Sequence, residues 1–119
     1  MSKSEGYLTT HVLDTAKGCP AAGIAISVYK VEATKKRLLS TTITNSDGRC
    51  DSPILIGNAF EIGVYELVFK VAEYFSTEGG DSVPFLDEIT LRFGVSDCET
   101  HYHIPLLVSP YSYSTYRGS

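Results

Sequence analysis

The chain holds three histidines, His11, His101 and His103. Imidazole is the side chain that takes and returns a proton near neutral pH, with an unperturbed pKa of about 6.5. Two of the three form the sequence His101-Tyr102-His103. On a strand, residues two apart share a face, so His101 and His103 emerge together with Pro105 and Leu107, opposite an apolar set of Tyr102, Ile104, Leu106 and Val108. Three readings stay open for the histidines: acid–base work, a metal held by paired imidazoles, or ordinary strand-surface residues. A zinc site takes three or four ligands, and no Cys or carboxylate is fixed beside the pair by spacing. Arg49 closes the turn Asn45-Ser46-Asp47-Gly48-Arg49, where it is either a solvated cation or a fixed donor for a carbonyl or oxyanion. Tyr116-Arg117-Gly118-Ser119 places an Arg and a Ser hydroxyl directly after a strand-like run. Termini usually fray unless something ties them down, so this tail is expected to hold its side chains and a terminal carboxylate at one structural position. A Ser-His-Asp set using Asp14 or Asp97 can be assembled on paper, as in any chain of this length. The cysteines show no Cys/His nucleophile signature, and the glycines match neither a phosphate-cradling loop nor a dinucleotide fingerprint.

Positioning these residues falls to strands. Short runs rich in Val, Ile, Thr, Tyr and Phe recur between turn signals at the intervals of a β-sandwich, and the expected fold class is all-β. Candidate strands are Leu8–Asp14, Gly23–Val31, Leu38–Thr44, Val64–Val71, Ile89–Val95, His101–Val108 and Tyr113–Arg117, with a short one near Ser52–Leu55. On the first, Leu8, Thr10 and Val12 alternate with Thr9, His11 and Leu13, so every histidine lies in a strand where a half-buried face can present it. Turns are expected at Lys17-Gly18-Cys19-Pro20, Asn45-Ser46-Asp47-Gly48 and Glu78-Gly79-Gly80-Asp81, because Asn and Asp tolerate the left-handed conformation and Gly adopts it freely. Between Ala72 and Thr77 the β-branched content drops, and one or two helical turns are expected there as a crossover.

With 119 residues the chain suits one domain, residues 1–119, that buries roughly two-thirds of its unfolded surface. Ten basic against fourteen acidic side chains leave a formal charge of −4. Lys17, Lys35, Lys36 and Arg37 are too few and too unpatterned to track phosphates, so nucleic acid is not an expected partner. Cys19, Cys50 and Cys98 are odd in number and widely spaced, which argues for reduced thiols in a reducing compartment. No apolar run approaches the ~20 residues of a membrane-spanning helix, and Met1 to Tyr7 lacks the apolar core of a signal peptide. Neither an organelle signal nor a closing Ser-Lys-Leu is present, so the cytoplasm is expected in preference to the peroxisome.

Four blocks carry a resemblance. Leu8-Thr9-Thr10-His11-Val12-Leu13-Asp14-Thr15, Thr44-Asn45-Ser46-Asp47-Gly48-Arg49-Cys50, His101-Tyr102-His103-Ile104-Pro105-Leu106-Leu107 and Ser109-Pro110-Tyr111-Ser112-Tyr113-Ser114-Thr115-Tyr116-Arg117-Gly118-Ser119 resemble the 5-hydroxyisourate hydrolases, the transthyretin-related enzymes of urate breakdown. The blocks run in that family's order over nearly the whole chain, and the closing Tyr-Arg-Gly-Ser is the most specific. Transthyretin itself shares Ser-Pro-Tyr-Ser-Tyr-Ser-Thr but continues differently and lacks the histidine pattern, so the resemblance favours the hydrolase over the hormone carrier.

The resemblance implies a transthyretin-like two-sheet β-sandwich with one short helix, assembled as a homotetramer whose active sites line a central channel. Tyr111, Tyr113 and Tyr116 would help shape the contact between dimers. It implies that water opens a ring amide of 5-hydroxyisourate to give 2-oxo-4-hydroxy-4-carboxy-5-ureidoimidazoline, with no cofactor and no catalytic metal. His11 and His103 would take the acid–base role, and Arg49 would hold substrate oxygens and stabilise developing negative charge. Ser119, by its hydroxyl or terminal carboxylate, would position substrate or water. Tyr116 contributes to substrate binding, Arg117 supports the tail, and His101 stands behind His103. Such an enzyme, unlike a carrier for a hydrophobic ligand, wants His, Arg and Ser where the carrier wants apolar or small side chains.

Overall fold

Strand β1 (Tyr7–Asp14) buries Leu8, Thr10, Val12 and Asp14 and leaves Tyr7, Thr9, His11 and Leu13 half-buried, the period of two that a pleated strand imposes. The computed structural model describes residues 5–76 and 83–118. The expected turn at Glu78–Asp81 and the candidate Ser119 lie outside the described residues. After β1 come β2 (Cys19–Pro20), β3 (Ala25–Glu32), β4 (Lys35–Ile43), β5 (Leu55–Ile56), β6 (Gly63–Lys70), the one-turn helix α1 (Ala72–Phe75), β7 (Glu88–Val95), β8 (His101–Val108) and β9 (Tyr113–Thr115). They form the expected two-sheet, all-β sandwich. One sheet runs β2-β1-β8-β9, with β5 also on β1, and the other runs β4-β3-β6-β7.

The core lies between the inner faces. Leu8, Val12, Leu106 and Val108 from the first sheet meet Ile26, Val28, Leu67 and Phe69 from the second, all essentially without solvent contact. Each such side chain contributes roughly 1.5–3 kcal/mol on burial. That fixes the register of β8, because a slip of one residue would expose Tyr102, Ile104, Leu106 and Val108 and drive the two histidines inward. The outward direction of His101 and His103 is thus set by the apolar residues between and beyond them.

The pairing that builds the site is parallel. β1 runs beside β8 with Tyr7 opposite His101, Thr9 opposite His103 and His11 opposite Pro105. Strand alternation within each segment gives the faces, but it carries no information that these two segments are neighbours.

Several boundaries differ from the sequence expectation for identifiable reasons. Cys19–Pro20, expected as turn, also pairs with Leu13 and Asp14 as β2. β4 starts at Lys35 because Ala33 takes a positive φ of 47° and turns the chain directly back from β3. The short strand expected near Ser52–Leu55 is Leu55–Ile56, where pairing to Tyr7 and Leu8 is available. β9 ends at Thr115 and not at Arg117. Its register, Leu106 opposite Thr115, continues to a lone bridge between His103 and Gly118, which places Tyr116 opposite Pro105. Proline has no backbone N–H to give a ladder partner, so the chain leaves the sheet at Tyr116 and Arg117 and rejoins it at Gly118.

Candidate active site

Arg49 reaches the histidines through the second edge of β1. That edge is taken in series by β5 at Tyr7–Leu8, by a lone bridge between His11 and Arg49, and by β2 at Leu13–Asp14. The turn that delivers Arg49 is held by Asn45, whose side-chain oxygen accepts from the backbone N–H of Asp47 at 2.9 Å and of Arg49 at 3.2 Å. Gly48, at φ +75°, gives its carbonyl to the N–H of Val12 at 2.8 Å, and a Cβ on it would strike the Val12 carbonyl oxygen. Only glycine lets the turn lie this close to β1.

The result is a cleft of about 310 Å³ lined by Thr9, Thr10, Arg49, Cys50, Ser52, His101 and His103. Of the residues expected to act, His103 and Arg49 share this cleft. His11 lies on the same outer face of β1 as Thr9, two residues along, and its Nε2–H donates to the carbonyl of Asp47 at 2.9 Å. That bond ties the imidazole to the turn that carries Arg49. Tyr116 has an exposed side chain and lies outside the lining residues. Arg117 folds its guanidinium over the ring of Tyr102, 3.9 Å from its centroid, a cation–π contact that fastens the tail beside β8.

His103 is the most constrained group. The N–H of Gly118 donates to the His103 carbonyl at 2.7 Å, and a Cβ on Gly118 would come within 2.8 Å of the imidazole Cδ2. Its Nδ1 lies 2.8 Å from the Thr9 hydroxyl, and Nε2 has no protein partner among the described residues. Burial holds its pKa below the usual imidazole range, and the charges that His101, Arg49 and His11 can present push it the same way. When its hydrogen sits on Nδ1, the neutral imidazole presents a bare Nε2 that can accept a proton. Arg49 is exposed and forms no ion pair among the described residues, so its guanidinium is available to an incoming oxygen.

His101 stacks on Tyr7, with ring centroids 4.1 Å apart and planes at 10°. Its Nε2 lies 2.6 Å from the same Thr9 hydroxyl. Sequence reasoning passed over Thr9, and the only signal for it, a polar side chain on the His11 face of β1, acquires meaning once β1 and β8 are known to be adjacent. It also passed over Cys50 and Ser52 as lining residues. Cys50 is half-buried and burial raises its thiol pKa, and all three cysteines are free. Among the described residues, neither Asp14 nor Asp97 pairs with a histidine, so the triads on paper do not form there. Asp14 is buried, accepting from the N–H groups of Ala16 and Lys17 and from the Tyr74 hydroxyl at 2.7 Å, and Asp97 caps the N–H of Glu99. Burial first and Asp14 second push the Tyr74 hydroxyl up to about 12. Among the described residues, no three of His, Cys, Asp and Glu gather as a metal site.

A sequence profile of the HIUase/Transthyretin family matches residues 8–118. The chain belongs to this family. It is 55% identical over 116 residues to a 5-hydroxyisourate hydrolase of Pseudomonas aeruginosa, covering 96% of this chain and 92% of that one. Its fold superimposes on a solved (S)-allantoin synthase with a TM-score of 0.89 at 46% identity; the match takes in 99% of this chain but 45% of that longer one. Transthyretin from Sparus aurata matches with a TM-score of 0.83 at 29% identity, covering 93% of this chain and 95% of that one. One sandwich therefore serves relatives with different names, and the side chains in the cleft have to separate them.

Proposed function

We propose that this chain is a 5-hydroxyisourate hydrolase: it adds water across a ring amide of 5-hydroxyisourate and releases 2-oxo-4-hydroxy-4-carboxy-5-ureidoimidazoline. The observation that carries this reading is the placement on one cleft of His103, its Nε2 free of protein partners among the described residues, and Arg49, which forms no ion pair among them. An imidazole that accepts a proton from water and a cation that meets the developing oxyanion are the two parts that amide hydrolysis needs. The 55% identity to the Pseudomonas aeruginosa hydrolase, against 29% to transthyretin, supports the enzyme over a ligand carrier.

In this mechanism His103 removes a proton from the attacking water while Arg49 holds the carbonyl oxygen as it gains charge. His11, tied through Asp47 to the Arg49 turn, serves as the second acid–base group, and either histidine can return the proton to the departing nitrogen. Tyr116 contributes to substrate binding and Ser119 positions substrate or water; both rest on the resemblance of the Tyr-Arg-Gly-Ser block. Residues 1–119 act as one domain without a cofactor. Four copies assemble with their sites along a shared channel, which gives the exposed Tyr111, Tyr113 and Tyr116 a partner surface. No helix among the described residues is long and apolar enough to cross a membrane, and the cytoplasm is the proposed site of action.

The test generates 5-hydroxyisourate in place with urate oxidase and follows its ultraviolet decay. The purified protein is expected to accelerate the decay and to yield one enantiomer of the product; decay at the spontaneous rate would overturn the assignment.

A further inference from the structure

Thr9 stands between two imidazoles. Its hydroxyl is 2.6 Å from His101 Nε2 and 2.8 Å from His103 Nδ1, and a hydroxyl has one hydrogen to give. The two contacts therefore cannot both be donations from Thr9. If Thr9 donates to His101, then His103 must donate through Nδ1–H, and its Nε2 is a bare lone pair facing the cleft. If Thr9 donates to His103, then His101 donates through Nε2–H, and His103 carries its hydrogen on Nε2. The first arrangement makes His103 a base toward the cleft and the second makes it an acid, and passing between them takes a turn of the hydroxyl together with a change of tautomer at both rings.

We propose that His101, Thr9 and His103 form a proton relay in which Thr9 sets the tautomer of His103 and His101 stores the proton taken from water. The proposal rests on the hydrolase reading above and adds two residues to its machinery. His103, with its hydrogen on Nδ1, accepts a proton from water at Nε2. It passes the Nδ1 hydrogen to the Thr9 oxygen, and Thr9 passes its own hydrogen to His101 Nε2. One positive charge has moved from His103 to His101, and no bond between heavy atoms has changed. His103 is left neutral with a hydrogen on Nε2, ready to protonate the leaving nitrogen; the return journey resets the relay.

The surroundings favour this direction. The imidazolium formed at His101 lies against the face of Tyr7, 4.1 Å away, where an aromatic ring stabilises a cation. His103 shares its cleft with Arg49 from the turn and with Cys50, and His11 also lies near it, so a charge retained there meets the fixed Arg49 cation. Thr9 and His101 act through His103 and are positioning residues.

Nitrogen-15 resonances of the histidines, followed against pH in the wild-type protein, test the relay without substrate. The expected pattern is a coupled titration in which His101 takes the charge first while His103 stays neutral. Independent titration of the two rings, or charging of His103 first, would overturn the relay. Thr9→Val keeps the side-chain shape and removes the hydroxyl. It is expected to leave His103 a mixture of tautomers and to lower kcat by about tenfold, within the ~10²–10⁴-fold that acid–base catalysis supplies, with KM changed by less than about twofold. Thr9→Ser should restore both signals. Wild-type tautomers and wild-type kcat in a folded Thr9→Val protein would also overturn it. Should the wild-type protein fail to accelerate 5-hydroxyisourate decay, the hydrolase reading falls, and the titration still decides the relay.

Discussion

His103 combines a pKa lowered by burial with a position beside Arg49 and His11, and this sets the pH behaviour of the proposed reaction. The base works in its neutral form, and a lowered pKa keeps it neutral further into acid. The acid limb of kcat/KM is therefore expected below the ordinary imidazole value of about 6.5. Removing a nearby positive charge has the opposite sign, so Arg49→Gln should move that limb upward as well as lowering the plateau. A pH–rate profile of each protein checks the prediction, and an unmoved limb in Arg49→Gln would detach Arg49 from His103. Gly118 is a second point of leverage, because any Cβ there collides with the imidazole at 2.8 Å. Gly118→Ala is expected to lower kcat by at least about tenfold through a displaced ring, with the cooperative unfolding transition nearly unchanged. Urea unfolding and steady-state kinetics on the same preparation separate the two effects.

The strands show where sequence alone is sufficient and where it stops. β8 has the limits expected for it, His101–Val108, because Tyr102, Ile104, Leu106 and Val108 form an apolar alternation that suits one register. The alternation on β1 is equally legible, down to the half-buried His11. The parallel contact of β1 with β8 spans more than ninety residues of chain, as in the Thr9–His103 bond at a separation of 94, and strand periodicity cannot name a strand's neighbour. Thr9 consequently escaped notice while His103 did not. The end of β9 is a subtler case: the segment Tyr113–Arg117 is strand-like in composition, and it is Pro105, on a different strand, that releases Tyr116 and Arg117. The packing that fixes β8 also predicts its sensitivity. Leu106 is fully buried, and Leu106→Ala should cost roughly 2–5 kcal/mol of stability, read as a lower urea midpoint at an unchanged slope.

For the molecule as a whole, one sandwich is put to a use that its core does not determine. The inner faces hold the sheets together, while the outer face of the β2-β1-β8-β9 sheet carries His11, His101 and His103 and the Arg49 turn. Ser119, the remaining expected participant, lies outside the described residues. The proposed tetramer makes that outer face part of an enclosed channel, so assembly and activity should be lost together. Tyr113, 45% exposed in the isolated chain, is the residue for this test: Tyr113→Asp is expected to shift sedimentation velocity to smaller species and to reduce turnover in proportion. A fully active monomer would separate the site from the assembly. The most direct measurement of the central claim is the decay of freshly generated 5-hydroxyisourate under wild-type protein and His103→Ala in parallel. Rapid decay to one enantiomer is expected with the wild type, and a rate lower by about 10²–10⁴-fold with a folded His103→Ala protein; equal rates from the two would overturn the role of His103 as the base.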